Sequence, residues 1–224
     1  NAMIYTVEDV YEYVEQEDVK FIRLAFCDIS GRQKNISIMP QELKRAFSQG
    51  ISFDASAIGG FGGVVESDLF LFPIPSTLSL MPWRPSRGKV VRMFCKIRYP
   101  DGRPFPLDCR ALLGRAIREA QDLGLSVQIG AEFEFYLFKT DVDGNPTTQP
   151  FDHAGYMDMA PEDKGENVRR EICLTLESMG ILPECSHHEE GPGQNEIDFR
   201  YSDAMTAADN ALRFASTVRA VAVS

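Results

Sequence analysis

Val127-Gln128-Ile129-Gly130-Ala131-Glu132-Phe133-Glu134-Phe135-Tyr136-Leu137-Phe138 alternates side-chain character almost without a break. Val127, Ile129, Ala131, Phe133, Phe135 and Leu137 share one face, and Gln128, Gly130, Glu132, Glu134 and Tyr136 the other. This is the period-two pattern of a β-strand, and it predicts one long strand over 126–138. Glu132 and Glu134 project from the same face, roughly 6–7 Å apart at Cα. Neighbouring like charges on a strand cost energy unless something neutralises them. As a bare pattern, E-x-E fits the solvent face of an edge strand. Gly130 and the bulky Phe133 and Phe135 favour an interior strand, where a carboxylate pair needs cations or protons as partners. Two divalent cations ~3.5–4 Å apart are a span that such a pair can serve.

A second acidic constellation lies at His187-His188-Glu189-Glu190-Gly191-Pro192-Gly193-Gln194-Asn195-Glu196. Glu196, Asp198 and Arg200 alternate with Ile197, Phe199 and Tyr201, so Glu196 sits on the polar face of a strand just after a tight turn. Glu189 sits just before that turn, which can bring both carboxylates towards one point. Oxygen-only donors favour a hard ion such as Mg²⁺ or Mn²⁺ over zinc. His187 and His188 lack a cysteine pair or a third nearby histidine, and are read as hydrogen-bonding residues that orient their neighbours.

Outward from these stretches the pattern is mixed. Thr6 opens a short helix with Asp9 in a weak capping box. Val19 to Cys27 reads as a central strand, apolar on both faces. Asp28-Ile29-Ser30-Gly31 turns the chain into a hairpin partner over 32–39. Pro40 suits the first position of a helix running to Gly50. From Ile51 to Arg87 the pattern loosens. Over 90–99, Val91, Met93, Cys95, Ile97 and Tyr99 face one way and Arg92, Lys96 and Arg98 the other, as in a half-buried strand. Pro104 and Pro106 mark a junction, giving expected domains over 3–104 and 105–224. Beyond it, helices are predicted over 108–123, 166–179 and from about Ala204, with a turn at Asp143-Gly144-Asn145-Pro146 and a strand pair around Gly191-Pro192-Gly193. The fold class is α+β.

The chain has 224 residues, 44% hydrophobic and 25% charged, an ordinary globular profile. A formal charge of −10 argues against nucleic acid as a partner. No apolar run approaches the ~20 residues of a membrane helix. Asn1-Ala2 before Met3 reads as an expression scar rather than a secretory signal. Five cysteines without a CxxC pair suit a reduced, cytoplasmic compartment.

Gly130-Ala131-Glu132-Phe133-Glu134-Phe135 and the segment from His187 to Glu196 resemble the two metal-binding signatures of the bacterial-like type I glutamine synthetases. Other segments keep the family's order: Phe53-Asp54-Ala55-Ser56, Glu66-Ser67-Asp68, Pro82-Trp83, Pro100-Asp101-Gly102 with Pro104-Phe105, and Gly155-Tyr156 followed by Gly165-Glu166-Asn167. The resemblance covers nearly the whole chain from Met3. It implies an N-terminal β-grasp-like domain, then the first part of a catalytic domain with a curved antiparallel sheet. Glu134, Glu189 and Glu196 match the ligands of one metal and Glu132 a ligand of the other, both Mg²⁺ or Mn²⁺. Glu184 matches a nucleotide-contacting residue. Asp54 matches a residue lent to a neighbouring subunit's active site, where it helps bind and deprotonate ammonium. The implied partners are L-glutamate, ammonium and ATP, joined through γ-glutamyl phosphate, and the implied assembly is a dodecamer of two hexameric rings.

The chain departs from the family pattern at Ala55 and Ala57 beside Asp54, and at Gly62-Gly63, where many members carry a larger residue and an arginine. Further family ligands are expected downstream of Ser224, so the chain is read as an N-terminal portion, inactive alone. Two alternatives remain at this point: a γ-glutamyl ligase for another amine such as a polyamine, and a non-catalytic relative serving as a structural or regulatory subunit.

Overall fold

The computed structural model describes residues 5–63, 67–84 and 87–223. Asn1-Ala2, Met3, Ser224 and Glu66 of the Glu66-Ser67-Asp68 segment lie outside the described residues. The chain divides into two compact units, the first ending at Ser126 and the second beginning at Val127.

In the first unit, helix α1 (Val7–Gln16) is capped by Thr6, whose side chain accepts from the Asp9 amide while Asp9 returns the bond to the Thr6 amide. Strand β1 (Val19–Cys27) pairs antiparallel with β2 (Gln33–Ile38). A 3₁₀ turn over Pro40–Glu42 leads into α2 (Leu43–Gln49), which ends at Gly50 with φ of 76°. Strands β3 (Ile51–Asp54), β4 (Asp68–Pro73) and β5 (Ser79–Leu80) follow, then β6 (Lys89–Arg98) and α3 (Cys109–Asp122). The sheet runs β2-β1-β6-β4-β3, with β5 also paired to β6. β1 and β6 are parallel and the remaining pairs antiparallel. Its core holds Ile22, Leu24, Phe61, Leu69, Leu71, Met93, Ile97 and Phe105.

Two expectations change here. β3 and β4 form in the stretch that reads as loose, because each is short and their pairing supplies what periodicity does not. β6 is buried on both faces rather than half-buried. Arg92 is only 4% exposed, lies over the Phe94 ring at 4.9 Å and reaches Gln33 Oε1 at 3.3 Å. Its position between β1 and β4 explains why an arginine is covered there.

The second unit contains β7 (Gln128–Ile129), β8 (Glu132–Tyr136), β9 (Phe138–Thr140), β10 (Pro146–Pro150), α4 (Glu166–Ser178), β11 (Pro183–His188), β12 (Gln194–Phe199), β13 (Ser202–Asp203) and α5 (Ala204–Val221). The single long strand expected over 126–138 is three strands in three sheets: β7 pairs with β13, β8 joins β11-β12-β8, and β9 pairs with β10. Gly130 and Ala131 separate the first two. At Leu137 the backbone leaves the ladder, its amide donating to the Gly193 carbonyl at 2.8 Å and its carbonyl accepting from Phe151 at 2.9 Å. The proposed continuous apolar face is therefore interrupted, and Val127 and Ile129 are exposed.

β8 is the edge strand of its three-stranded sheet rather than an interior one, and Glu132 and Glu134 are exposed. The aromatic residues that suggest burial have another cause. Phe133 stacks on Phe214 of α5 at 4.7 Å, and Phe135 and Phe199 meet the same ring edge-on at 6.0 and 5.5 Å. With Ile172 and Leu176 of α4, Ile181 and Ile197, these rings form the second unit's core. One sheet face is thus packed on helices, and the alternation of β8 and β12 leaves the other for polar chemistry.

Candidate metal centre

The polar face of the β11-β12-β8 sheet is built from two cross-strand rows. His187, Glu196 and Glu134 stand opposite one another across β11, β12 and β8. Cys185, Asp198 and Glu132 form the adjacent row. Directly opposed residues of antiparallel strands share a face with Cβ atoms ~4.5–5.5 Å apart. The sheet register therefore gathers Glu132, Glu134, Glu196 and Asp198 without help from any loop.

Glu189 joins from the turn. Its amide donates to the Gln194 carbonyl at 2.9 Å and the Gln194 amide donates to the Gly191 carbonyl at 2.9 Å, closing the hairpin. Gly193, with φ of 70°, makes that closure possible: a Cβ there would lie 2.6 Å from the Leu137 carbonyl oxygen. The imidazole of His187 lies between the two turn carboxylates, with Nδ1 at 3.6 Å from Glu189 Oε1 and Nε2 at 3.6 Å from Glu196 Oε2. Gln194 spans from the turn to the edge strand. Its Nε2 donates to Glu134 Oε2 at 2.5 Å, and its Oε1 accepts from the Gly191 amide at 2.9 Å.

The electrostatics of this face are unbalanced. Glu196 is buried, and burial together with the carboxylates of Glu189 and Asp198 pushes its pKa up to about 8. Asp198 Oδ2 accepts the Cys185 thiol at 2.9 Å, while its buried Oδ1 has no hydrogen-bond partner. A buried carboxylate oxygen without a partner, beside a carboxyl group held towards its neutral form, fits a hard cation. The donors Glu132, Glu134, Glu189 and Glu196 are all oxygen, as Mg²⁺ and Mn²⁺ prefer. His187, Glu196 and Asp198 also lie close enough to share one ion.

Beneath this face runs a buried polar network that sequence reasoning missed. Asp152 Oδ1 is 2.8 Å from His188 Nε2 and accepts the Gly193 amide at 3.0 Å, while Oδ2 accepts the Lys164 amide at 3.0 Å. His188 Nδ1 is 2.6 Å from the Glu189 carbonyl oxygen. Both ring nitrogens thus face acceptors. Burial disfavours the ring's charge, but Asp152 and the Glu189 carbonyl outweigh it and raise the pKa of His188. Asp163 takes both terminal nitrogens of Arg169, and Arg169 Nη1 also donates to Asn195 Oδ1 at 2.6 Å. One signal in the sequence does point to Arg169: it precedes Ile172 and Leu176 at helical spacing and so falls on the buried stripe of α4. Asp152 and Asp163 carry no comparable signal, because tertiary packing alone buries these loop residues.

The other two predicted site residues lie elsewhere. Glu184 falls where the β11–β12 register shifts between Pro183 and Cys185, and its exposed carboxylate stands 3.9 Å from Arg200 Nε. Asp54 closes β3 in the first unit. Its Oδ1 accepts the Ser56 amide at 3.0 Å and the Ser56 hydroxyl at 2.6 Å, and these bonds lower its pKa.

Fold and site define a class: an α+β chain in which a β-grasp sheet is followed by an antiparallel sheet gathering carboxylates on one face. Residues 18–100 match the family model for the glutamine synthetase β-grasp domain, and residues 106–224 that for the glutamine synthetase catalytic domain. The chain belongs to the glutamine synthetase family. It is 48% identical to a glutamine synthetase of Clostridium saccharobutylicum over 97% of this chain and 49% of that protein. A glutamine synthetase of Methanosarcina mazei is 47% identical over 97% of this chain and 48% of its own length. A solved GmaS/ADP complex shares the fold with a TM-score of 0.84 at 26% identity, over 96% of this chain and 49% of that one. The chain spans about half the length of the curated relatives it matches. Among the described residues no helix is long and apolar enough to cross a membrane.

Proposed function

We propose that this chain supplies most of the metal carboxylates of an enzyme that joins ammonia to the γ-carboxylate of L-glutamate at the expense of ATP. The carrying observation is the cross-strand placement of Glu134 and Glu196, with Glu189 delivered to the same face by the turn. In this reading Glu134, Glu189 and Glu196 hold one divalent cation, Mg²⁺ or Mn²⁺, and Glu132 contributes to a second. Such cations, when bound, neutralise phosphate and carboxylate charge that would otherwise keep two anionic reactants apart.

The protein's own groups do the remaining work. The acidic face fixes the donors before substrate arrives, so little reorganisation is needed at the moment of reaction. His187, between Glu189 and Glu196, holds their carboxylates apart and oriented. Glu184 is assigned to nucleotide contact; the ADP held by the GmaS relative supports a nucleotide near this part of the fold. Asp54, kept ionised at neutral pH by its bonds to Ser56, attracts ammonium and takes its proton, so that neutral ammonia attacks γ-glutamyl phosphate. Asp54 serves a neighbouring subunit's site in an assembly of hexameric rings.

The test is glutamine formation from glutamate, ammonium and ATP by a family-length protein containing this chain. Methylammonium and putrescine serve as competing acceptors, and the isolated 224-residue chain is assayed in parallel. Ammonium is expected to be the preferred acceptor, with loss of activity in Glu134→Ala and Glu196→Ala and none detectable for the isolated chain. Preference for a larger amine would move the assignment to another γ-glutamyl ligase.

A further inference from the structure

The hairpin turn carrying Glu189 and Glu196 is pinned from the buried side by one oxygen. Asp152 Oδ1 meets His188 Nε2 at 2.8 Å at one end of the turn and the Gly193 amide at 3.0 Å at the other. The first contact adjoins Glu189, and the His188 ring continues it to the Glu189 carbonyl at 2.6 Å. The second lies on the approach to β12 and Glu196. Asp152 and His188 have side chains 1% and 0% exposed, so these bonds face no competition from bulk water. The remaining oxygen, Oδ2, is anchored by the Lys164 amide at 3.0 Å.

We propose that Asp152 is the positioning residue for the metal carboxylates, its Oδ1 setting the separation of Glu189 and Glu196 by holding both ends of the turn between them. This rests on the metal-site reading above. Asp152 does not touch the cation. It acts through His188 and Gly193, as outer-shell carboxylates do when they orient a metal site through a second residue. Its place in the fold explains why this buried carboxylate is retained: the sheet ladder alone aligns Glu196 with Glu134, but Glu189 lies outside that ladder and needs a separate tether.

The experiment measures Mn²⁺ affinity of the intact chain by EPR, with folding followed by circular dichroism and thermal unfolding. Asp152→Asn keeps the shape of the side chain but replaces Oδ2 or Oδ1 with a donor. It is expected to weaken Mn²⁺ binding by about 10–100-fold while the chain remains folded. Ile172→Val, a core change away from the turn, is expected to lower the unfolding midpoint and leave affinity unchanged. A folded Asp152→Asn variant that binds Mn²⁺ within about threefold of the parent, short of that outer-shell range, would overturn the proposal. So would an equal loss in Ile172→Val, since general loosening would then account for it. Should Asp152→Asn fail to fold, His188→Gln decides by the same criteria, because it removes the link to the Glu189 carbonyl while leaving Asp152 in place. Absence of Mn²⁺ binding in the parent, or parent-like binding in Glu196→Gln, overturns the metal-site reading and this inference with it. Binding that depends on Glu196 but not on Asp152 overturns this inference alone.

Discussion

Glu196 on β12 stands directly opposite Glu134 on the edge strand β8, with both side chains on the same sheet face. Opposed like charges destabilise a strand pair by up to about 1 kcal/mol. The arrangement is therefore a cost to the metal-free fold and an asset once a cation is present. Glu196→Gln is expected to raise the metal-free unfolding free energy by about that amount. The same change is expected to lower Mn²⁺ affinity beyond the ~10–100-fold typical of outer-shell changes. Urea unfolding without metal and calorimetric titration with Mn²⁺ measure the two effects, and a loss of both stability and affinity would contradict the first.

The Arg169–Asp163 pair is buried, with side chains 6% and 2% exposed, and Arg169 also holds Asn195 beside Glu196. Removing one partner leaves a charge uncompensated in the interior, which costs about 3–5 kcal/mol. Arg169→Ala is expected to lose stability in that range by equilibrium unfolding. A loss below about 1 kcal/mol, as for an exposed pair, would show that water reaches Asp163.

Two glycines with positive φ separate conformational strain from steric conflict. Gly144, with φ of 80°, has nothing within 4 Å of the place a Cβ would occupy. At Gly193, with φ of 70°, that Cβ would lie 2.6 Å from the Leu137 carbonyl oxygen and 3.2 Å from the Phe151 amide nitrogen. Gly144→Ala is expected to cost about 1–2 kcal/mol from backbone strain alone. Gly193→Ala is expected to cost distinctly more and to weaken Mn²⁺ binding, because the atoms it displaces are backbone. Thermal unfolding of the pair checks the ranking.

Cys185 is exposed, yet its thiol donates to Asp198 Oδ2, and that bond, with burial and nearby carboxylates adding to it, pushes its pKa up to about 11. At pH 8 the thiolate is scarce, so exposure does not translate into reactivity. Alkylation by iodoacetamide, followed by mass spectrometry, is expected to be slow at pH 8 and to accelerate as pH approaches 11. Asp198→Asn is expected to speed labelling at pH 8 roughly tenfold, one pKa unit's worth of thiolate. Unchanged labelling would show that the Asp198 charge does not reach the sulfur.

The elements legible in the sequence are those whose signal is local. The Thr6–Asp9 capping box, β1 and the hairpin around Gly191-Pro192-Gly193 follow from residues close in the chain. The carboxylate face was also legible in outline, since Glu132 with Glu134 and Glu196 with Asp198 each obey a period of two. What the pattern could not carry is register. Nothing local states that Glu196 faces Glu134, or that alternation continuing through Gly130 and Leu137 conceals two changes of sheet. Asp152 lay further out of reach. A loop aspartate before a histidine reads as solvent-exposed until the fold places it under a turn many residues away.

β12 is held by ladders on both sides, whereas β8 is bonded within the sheet on one side only. Glu196 consequently rides on the stiffest backbone of the sheet and Glu134 on a more compliant one. A cation seated between them meets a fixed jaw and a movable one. Ions of different radius can then be accommodated by small displacements of the edge strand, without disturbing the Phe214-centred packing on the opposite face.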